Sequence, residues 1–97
     1  MDIEKKLEDG RLTLAVVGRL DTNTSPELEA EVKLDGVNEV VFDFSRLEYI
    51  SSAGLRILLS VQKAMAACGG TMSVAHPNAS VRSVFEITGC SDVFNIA

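Results

Sequence analysis

Hydrophobic and polar positions alternate in the first twenty residues, which is typical of strands with one buried face. Segment 11–20 carries this pattern most clearly, and segment 2–8 mixes charges with a few apolar residues. Asp9-Gly10 between them is a hairpin turn signal. The two segments are therefore predicted to pair as antiparallel strands, with the first at the sheet edge. Gly18 inside the second strand predicts a bulge or a close backbone approach.

The middle of the chain changes from a continuous apolar run to a helical pattern. Residues 40–44 are apolar except for Asp43, which predicts a buried central strand with this aspartate near its carboxyl end. From about Ser52 to Cys68 apolar residues recur at helical spacing, and Gly69-Gly70 ends the helix. The residues predicted to face the sheet are Leu55, Leu58, Leu59 and Met65, flanked by Ile57, Val61 and Ala64. Arg56, Ser60 and Lys63 form the opposite, polar stripe.

Two further helices have start and stop signals. Ser25 is predicted as the N-cap of the first, with Pro26 at its first position and Asp35-Gly36 after its end. Asn78 is predicted to cap the last helix, which Gly89 closes. Short strands are predicted at 71–75 and 93–96.

The predicted order of elements is β-β-α-β-α-β-α-β. Alternation after the first hairpin implies right-handed crossovers between parallel strands. The fold class is therefore α/β: a single domain over 1–97, with a mixed, mostly parallel sheet of four or five strands and helices mainly on one face.

Composition narrows the functional classes. A net charge of −5 and a pI of about 4.7 argue against binding nucleic acid or an anionic membrane surface. No apolar stretch is long enough to span a membrane, and the first residues lack a signal-peptide core, so a cytoplasmic location is expected. Cys68 and Cys90 lack ligand spacing and are expected to be reduced structural thiols. His76 by itself cannot build a metal site, and no cofactor is expected.

The pair Ser51-Ser52 lies where a loop becomes a helix, and it is the one stretch that suggests chemistry. Serine is a favoured N-cap, so the pair needs no further role. Under that interpretation Ser52 caps a helix that starts near Ala53. A phosphate on either hydroxyl would be favoured electrostatically at a helix start.

Segment 43–59, with Asp43, Ser45 and the run Tyr49-Ile50-Ser51-Ser52-Ala53-Gly54-Leu55-Arg56, resembles the signature of the STAS-domain anti-sigma factor antagonists. In that family a buried strand leads through Asp-Ser-Ser/Thr-Gly-Leu into a helix, and the third residue of this motif is the phosphoacceptor. A gapless match on Gly54-Leu55 aligns the aspartate with Ser51, the first serine with Ser52 and the phosphoacceptor with Ala53. The resemblance extends over nearly the whole chain, including segment 78–94.

The resemblance implies a partner-switching protein. The unphosphorylated form would bind an anti-sigma factor that is also a serine kinase and thereby free a sigma factor. Phosphorylation would end the complex, and a PP2C-type phosphatase would restore it. Ser52 is the first acceptor candidate and Ser51 the second. The expected docking face consists of Asp21, Thr22, Thr24, Ser25, Ser51, Ser52, Ala53, Gly54 and Arg56.

Two other interpretations stay open. Ala53 at the acceptor position would suit a STAS binding module without phosphorylation, acting beside a transporter or lipid-transport machinery. An enzyme is not expected, because the chain lacks a Gly-x-Ser-x-Gly motif, a Walker loop and a Cys-His pair. Asp43 is instead expected to accept a hydrogen bond from Ser45 or a loop N–H. The acidic and hydroxyl residues at 21–25 are equally explained as a solvated, cap-rich loop.

Overall fold

The computed structural model describes residues 1–96, which form six strands and three helices. The strands are β1 (Asp2–Glu8), β2 (Arg11–Leu20), β3 (Glu39–Asp43), β4 (Leu47–Ile50), β5 (Thr71–Ala75) and β6 (Asn95–Ile96). The helices are α1 (Ser25–Glu31), α2 (Ser52–Ala67) and α3 (Ala79–Thr88), and a 3₁₀ turn at Cys90–Asp92 follows α3.

The sheet has the spatial order β1-β2-β3-β5-β6, so β3 is the central strand, as predicted. β1 and β2 form an antiparallel hairpin, and every other pair is parallel. The hairpin turn consists of Asp9 and Gly10, whose φ angles of 48° and 81° fit the left-handed turn that this dipeptide predicts. The mixed, mostly parallel sheet confirms the predicted fold class.

One strand was not predicted. β4 follows β3 after a three-residue break and pairs in parallel with the last residues of β2, so the sheet has six strands and not four or five. β2 has room for both neighbours because residues 11–15 pair with β3 and residues 18–20 pair with β4. The β2–β4 register shifts between Gly18 and Arg19, next to the glycine where a bulge or close approach was expected, but the extra residue is Glu48 of β4. Segment 47–50 is short and not alternating, and for this reason its pattern gives no clear strand signal.

The hydrophobic core lies on one face of the sheet. Strand register places Leu14, Phe42 and Val74 in one row across β2, β3 and β5, and all three are fully buried. The opposite row, Ala15 and Ala75 beside Asp43, remains half-buried. The helices therefore cover mainly one face, and the central strand is buried more completely on that side.

Helix α2 packs its apolar stripe onto this face, with two exceptions. Leu58 is fully buried, whereas Leu59 is 40% exposed and does not belong to the packed side, so the prediction for Leu59 is wrong. Ala64, predicted beside the stripe, is also exposed. Ile57 and Leu59 lie about 100° to either side of Leu58 around the helix, and only Ile57 is on the side that faces α1, so Ile57 is buried and Leu59 is not.

The C-terminal elements follow the predicted order. The Asn78 carboxamide oxygen caps α3 by accepting a hydrogen bond from the Val81 N–H at 2.8 Å, and Gly89 ends α3 with a φ of 78°. The final strand is shorter than predicted, because Val93 follows the 3₁₀ turn and only Asn95–Ile96 pairs with β5.

Candidate functional site

The 21–25 loop, which joins β2 to α1, is held by its own side chains. The Asp21 carboxylate accepts hydrogen bonds from the backbone N–H groups of Asn23 and Thr24, at 3.0 and 3.1 Å. The Thr24 hydroxyl donates to the Arg19 carbonyl at 2.7 Å and accepts from the Asp21 N–H at 2.9 Å. The side chains of Asp21 and Thr24 thus stabilise this short loop through hydrogen bonds to its own backbone.

Those bonds also stabilise the charged form of Asp21. The hydrogen bond from the Thr24 backbone N–H is the main cause that lowers the pKa of Asp21 below its usual value. The Thr24 hydroxyl, the Asn23 N–H and the charge of Arg19 act in the same direction, while desolvation opposes them. Asp21 is therefore an anion at neutral pH.

Ser25 does not cap α1, contrary to the prediction. The N-cap position belongs to Thr24, whose side chain makes no capping bond, and Ser25 is already inside the helix. Its side chain is only 4% exposed, and its hydroxyl donates to the Asp21 carbonyl at 2.5 Å. The N-cap therefore lies one residue before the predicted position, at Thr24. Asp21 and Thr24 already accept hydrogen bonds from backbone N–H groups of the loop.

The start of α2 assigns different roles to the two serines. Ser51 is the N-cap, with an extended backbone and a hydroxyl that accepts a long hydrogen bond of 3.4 Å from the Gly54 N–H. Its own N–H donates to the Leu20 carbonyl at 2.9 Å, which ties the cap to the end of β2. The interpretation of Ser52 as the N-cap is therefore wrong: Ser52 is the first helical residue, and it is exposed.

Gly54 permits the close approach of α2 to the sheet. A Cβ atom at this position would lie 2.8 Å from Leu20 Cγ and 2.9 Å from Ile50 Cγ1. Both side chains are buried at the ends of β2 and β4, so they have little freedom to move. The absence of a side chain thus fixes the height at which the helix start lies above the sheet.

A surface groove of about 360 Å³ lies between α1 and the first turns of α2. The residues that line it are Thr22, Ser25, Pro26, Glu29, Ala53, Arg56, Ile57 and Ser60. A smaller groove of about 100 Å³ continues from it along the same two helices, with Val32, Leu34 and Val61 in its apolar lining. The two grooves share Glu29, Ile57 and Ser60 in their linings.

The structure brings together only part of the predicted docking face. Thr22, Ala53 and Arg56 line the groove as exposed or half-buried side chains, and Ser25 contributes its small buried side chain. Five predicted residues lie next to the groove without lining it: Asp21, Thr24, Ser51, Ser52 and Gly54.

Four groove residues were missed at the sequence level: Pro26, Glu29, Ile57 and Ser60. A helical projection could have found three of them. Ile57 and Ser60 are the α2 neighbours of Ala53 and Arg56, and Glu29 follows Pro26 by one turn of α1.

Two polar features near the sheet ends lie outside the groove. The Asp43 carboxylate accepts a hydrogen bond from the Ser45 N–H at 3.0 Å, as expected, and this bond is the main cause that lowers the pKa of Asp43. The Arg19 guanidinium lies over the Tyr49 ring, 4.4 Å from its centroid, in a cation–π contact between β2 and β4. Both features stabilise the end of the sheet that supports the groove.

Other kinds of site find little support in residues 1–96. No group of three or more histidine, cysteine, aspartate or glutamate side chains there could hold a metal ion. The thiols of Cys68 and Cys90 are both free; Cys90 is buried and Cys68 is exposed at the end of α2. Over the same part of the chain, no helix combines the length and apolar character that crossing a membrane requires.

Comparison with known proteins defines the class. Residues 2–97 match the STAS domain family, and the chain therefore belongs to this family. This agrees with the observed order of strands and helices and with the glycine-containing helix start described above.

Named relatives and a solved structure extend the comparison. BtrV of Bordetella bronchiseptica, whose name gives it the role of anti-sigma factor antagonist, is 38% identical over 92 residues, which are 92% of this chain and 79% of BtrV. The anti-sigma-B factor antagonist of Staphylococcus aureus is 26% identical, with 99% of this chain and 92% of that protein covered. The structure of the anti-sigma factor antagonist SpoIIAA in its unphosphorylated form matches with a TM-score of 0.86 at 20% identity, over 99% of this chain and 88% of that one.

Proposed function

We propose that the protein is an anti-sigma factor antagonist that acts by binding, not by catalysis. The observation that carries this function is the 38% identity to BtrV over 92% of the chain, within a shared STAS fold. The anti-sigma-B factor antagonist of Staphylococcus aureus, covered over 92% of its length, supports the same role. These relatives favour this role over that of a subunit beside transport machinery.

The proposed docking surface is the groove between α1 and α2 together with the serines at the start of α2. The groove has one wall held by the hydrogen bonds of the 21–25 loop and another formed by α2. It combines the charged side chains of Glu29 and Arg56 with the apolar Ile57, as protein interfaces combine polar rims with apolar centres. The partner proposed for it is an anti-sigma factor with serine kinase activity.

Ser52 is the proposed phosphoacceptor, with Ser51 second. The Ser51 hydroxyl is partly buried and already used as the N-cap of α2. The Ser52 side chain is exposed and, among the described residues, makes no hydrogen bond. Ala53, at the position that aligns with the family's acceptor, has no hydroxyl to modify. Accessibility and lack of a competing bond therefore favour Ser52.

A phosphate on Ser52 would act as an electrostatic switch. It adds about −1.5 to −2 charges at pH 7 next to a surface that must be desolvated when a partner docks. Ser52 lies one turn from Arg56 and beside Ala53, both of which line the groove. Docking would be lost on phosphorylation, and a PP2C-type phosphatase would restore it in the cytoplasm.

The test uses the cognate anti-sigma factor and measures binding and phosphorylation separately. Calorimetry is expected to give a complex with the unphosphorylated protein, and incubation with ATP is expected to add one phosphate, mapped by peptide mass to Ser52. Ser52→Ala should remove the phosphate and keep the complex, and Ser51→Ala serves as the matched control. Ser52→Asp should weaken binding less than phosphate does, because it carries less charge.

The outcomes separate the possible roles. Phosphate on Ser51 alone would move the acceptor by one residue. Binding without any phosphate, from a kinase that is active on another substrate, would leave a constitutive binding module. Absence of binding to any anti-sigma factor of the same organism would reject the proposed function.

A further inference from the structure

Ser52 and Arg56 lie four residues apart on α2, and both side chains are exposed. Residues at this spacing share one face of a helix, with about 5–6 Å between their Cβ atoms. Helical side chains lean toward the N-terminus, so the long Arg56 side chain extends back over the turn that contains Ser52. An acidic group at the earlier position and a basic group at the later one form the more favourable orientation of such a pair.

The Arg56 guanidinium is available for a new ion pair. Within residues 1–96 it makes no hydrogen bond and no ion pair, although it lines the same groove as Glu29. Arg56 is the cation of that lining and Glu29 is its acid. Arg56 therefore supplies the positive charge that the groove can offer to a docking partner.

We propose that phosphoserine at position 52 forms an ion pair with Arg56 inside α2 and so removes the Arg56 charge from the groove. The inference rests on the proposed phosphorylation of Ser52. It adds a specific mechanism to the switch: besides introducing negative charge, the modification occupies the cationic contact of the groove. Arginine suits this role because its planar guanidinium can donate two parallel hydrogen bonds to phosphate oxygens.

The geometry distinguishes Arg56 from other basic groups nearby. Lys63 is exposed on the same helix, but it lies about 16 Å further along the axis from Ser52. Arg19 is engaged with the Tyr49 ring and with Asp21 at the end of β2. A phosphate on Ser51 would sit at the cap, five positions before Arg56 and off its helical face.

The test needs neither a kinase nor a partner, because phosphoserine can be incorporated at position 52 by genetic encoding. Phosphorus NMR then follows the second ionisation of the phosphate in the full chain, alone and with Arg56→Gln, Arg56→Lys or Lys63→Gln. An ion pair stabilises the dianion, so Arg56→Gln is expected to raise the phosphate pKa by roughly 0.3 pH units. Arg56→Lys should restore part of the shift, because it keeps the charge without the two parallel hydrogen bonds, and Lys63→Gln should leave the titration unchanged.

A second measurement reports the same pair from the arginine side. The Nε–H signal of Arg56 is expected to move on phosphorylation of Ser52 and to stay in place in a protein phosphorylated at Ser51. Identical titrations for the Arg56→Gln and Lys63→Gln proteins, with an unmoved Arg56 signal, would overturn the ion pair. These results are independent of anti-sigma factor binding, so failure of the proposed function would be seen only in the calorimetry.

Discussion

The two segments beside the groove, the 21–25 loop and the start of α2, use their polar groups in different ways. In the 21–25 loop, the Asp21 carboxylate and the Thr24 hydroxyl are bound to the chain itself through bonds of 2.7–3.1 Å. At the start of α2, the Ser51 cap bond is long, at 3.4 Å, and the exposed Ser52 has no bonded partner among the described residues. Both segments follow parallel strands at the same end of the sheet and both lead into a helix.

This difference teaches which hydroxyl is available for chemistry. A side chain that already satisfies backbone groups is costly to modify, because its hydrogen bonds must first be broken. The 21–25 loop is therefore suited to keep its side of the groove in place. The start of α2, with its exposed Ser52 hydroxyl, is suited to a modification that changes the local charge. The sequence alone does not distinguish these roles, since residues with hydroxyl side chains occur in both segments.

The largest expected effect concerns the packing of α2 against the core. Leu58 of α2 is fully buried in the core, whereas its neighbour Leu59 is 40% exposed. Leu58→Ala should lower the free energy of unfolding by about 2–5 kcal/mol through lost contacts and a new cavity. Leu59→Ala is the matched control and should cost less than about 1 kcal/mol. Denaturant melts in which both variants lose the same stability would show that α2 is not packed as described.

The second prediction uses the sign of a glycine substitution. Gly→Ala at an exposed helical position stabilises by about 0.5–1 kcal/mol. At Gly54 the added methyl would contact Leu20 and Ile50 at under 3 Å, so Gly54→Ala should instead destabilise by about 1–3 kcal/mol. Ser60→Ala, on the exposed side of α2, is the control and should not destabilise. Thermal melts showing a stabilised Gly54→Ala protein would contradict the close approach of α2 to the sheet.

The sequence predicted the fold where periodicity and turn chemistry agree. The hairpin at Asp9-Gly10 and the central strand Glu39–Asp43 have strong local signals, and both are confirmed. Gly18 marks the place where the β2–β4 register shifts, although the extra residue belongs to β4. β4 was missed because its residues gain their strand conformation from pairing with the end of β2, which is a tertiary effect. The total of six strands follows from this one addition.

The site was predicted less completely than the fold. Adjacent serines give equal propensity for the N-cap, and the extended backbone of Ser51 and the bond from the Gly54 N–H to its hydroxyl show which of them holds that position. Ser25 was displaced in the same way by bonds within its loop. Glu29 and Ser60 share helix faces with predicted residues, but the sequence does not show that these two faces of α1 and α2 lie against one groove, because that depends on how the helices pack.

A smaller effect separates the two serines. Ser51→Ala removes the cap of α2 and should cost about 0.5–1 kcal/mol, at the low end of the usual range because the bond is long. Ser52→Ala removes an exposed hydroxyl without a bonded partner in the described structure, so its change should lie within about 0.5 kcal/mol. Chemical denaturation of both variants makes the comparison. A larger loss for Ser52→Ala would restore it as the cap and weaken its assignment as the free acceptor.

The smallest effect is the pH dependence of the 21–25 loop. Hydrogen bonds lower the pKa of Asp21 in the folded protein below its ordinary value of 3.8. A lowered carboxyl pKa contributes stability that is present above the unfolded-state value and is lost as the pH falls through the folded-state pKa. Asp21→Asn keeps the acceptor oxygen but cannot ionise, so the stability difference between wild type and Asp21→Asn should shrink as the pH falls below 3.8. Asp43, whose pKa is also lowered, titrates in both proteins and cancels from the difference. If the stability difference between wild type and Asp21→Asn stayed constant from neutral pH to values well below 3.8, the Asp21 charge would not stabilise the loop. Hydrogen-bond geometry alone would then distinguish the 21–25 loop from the start of α2.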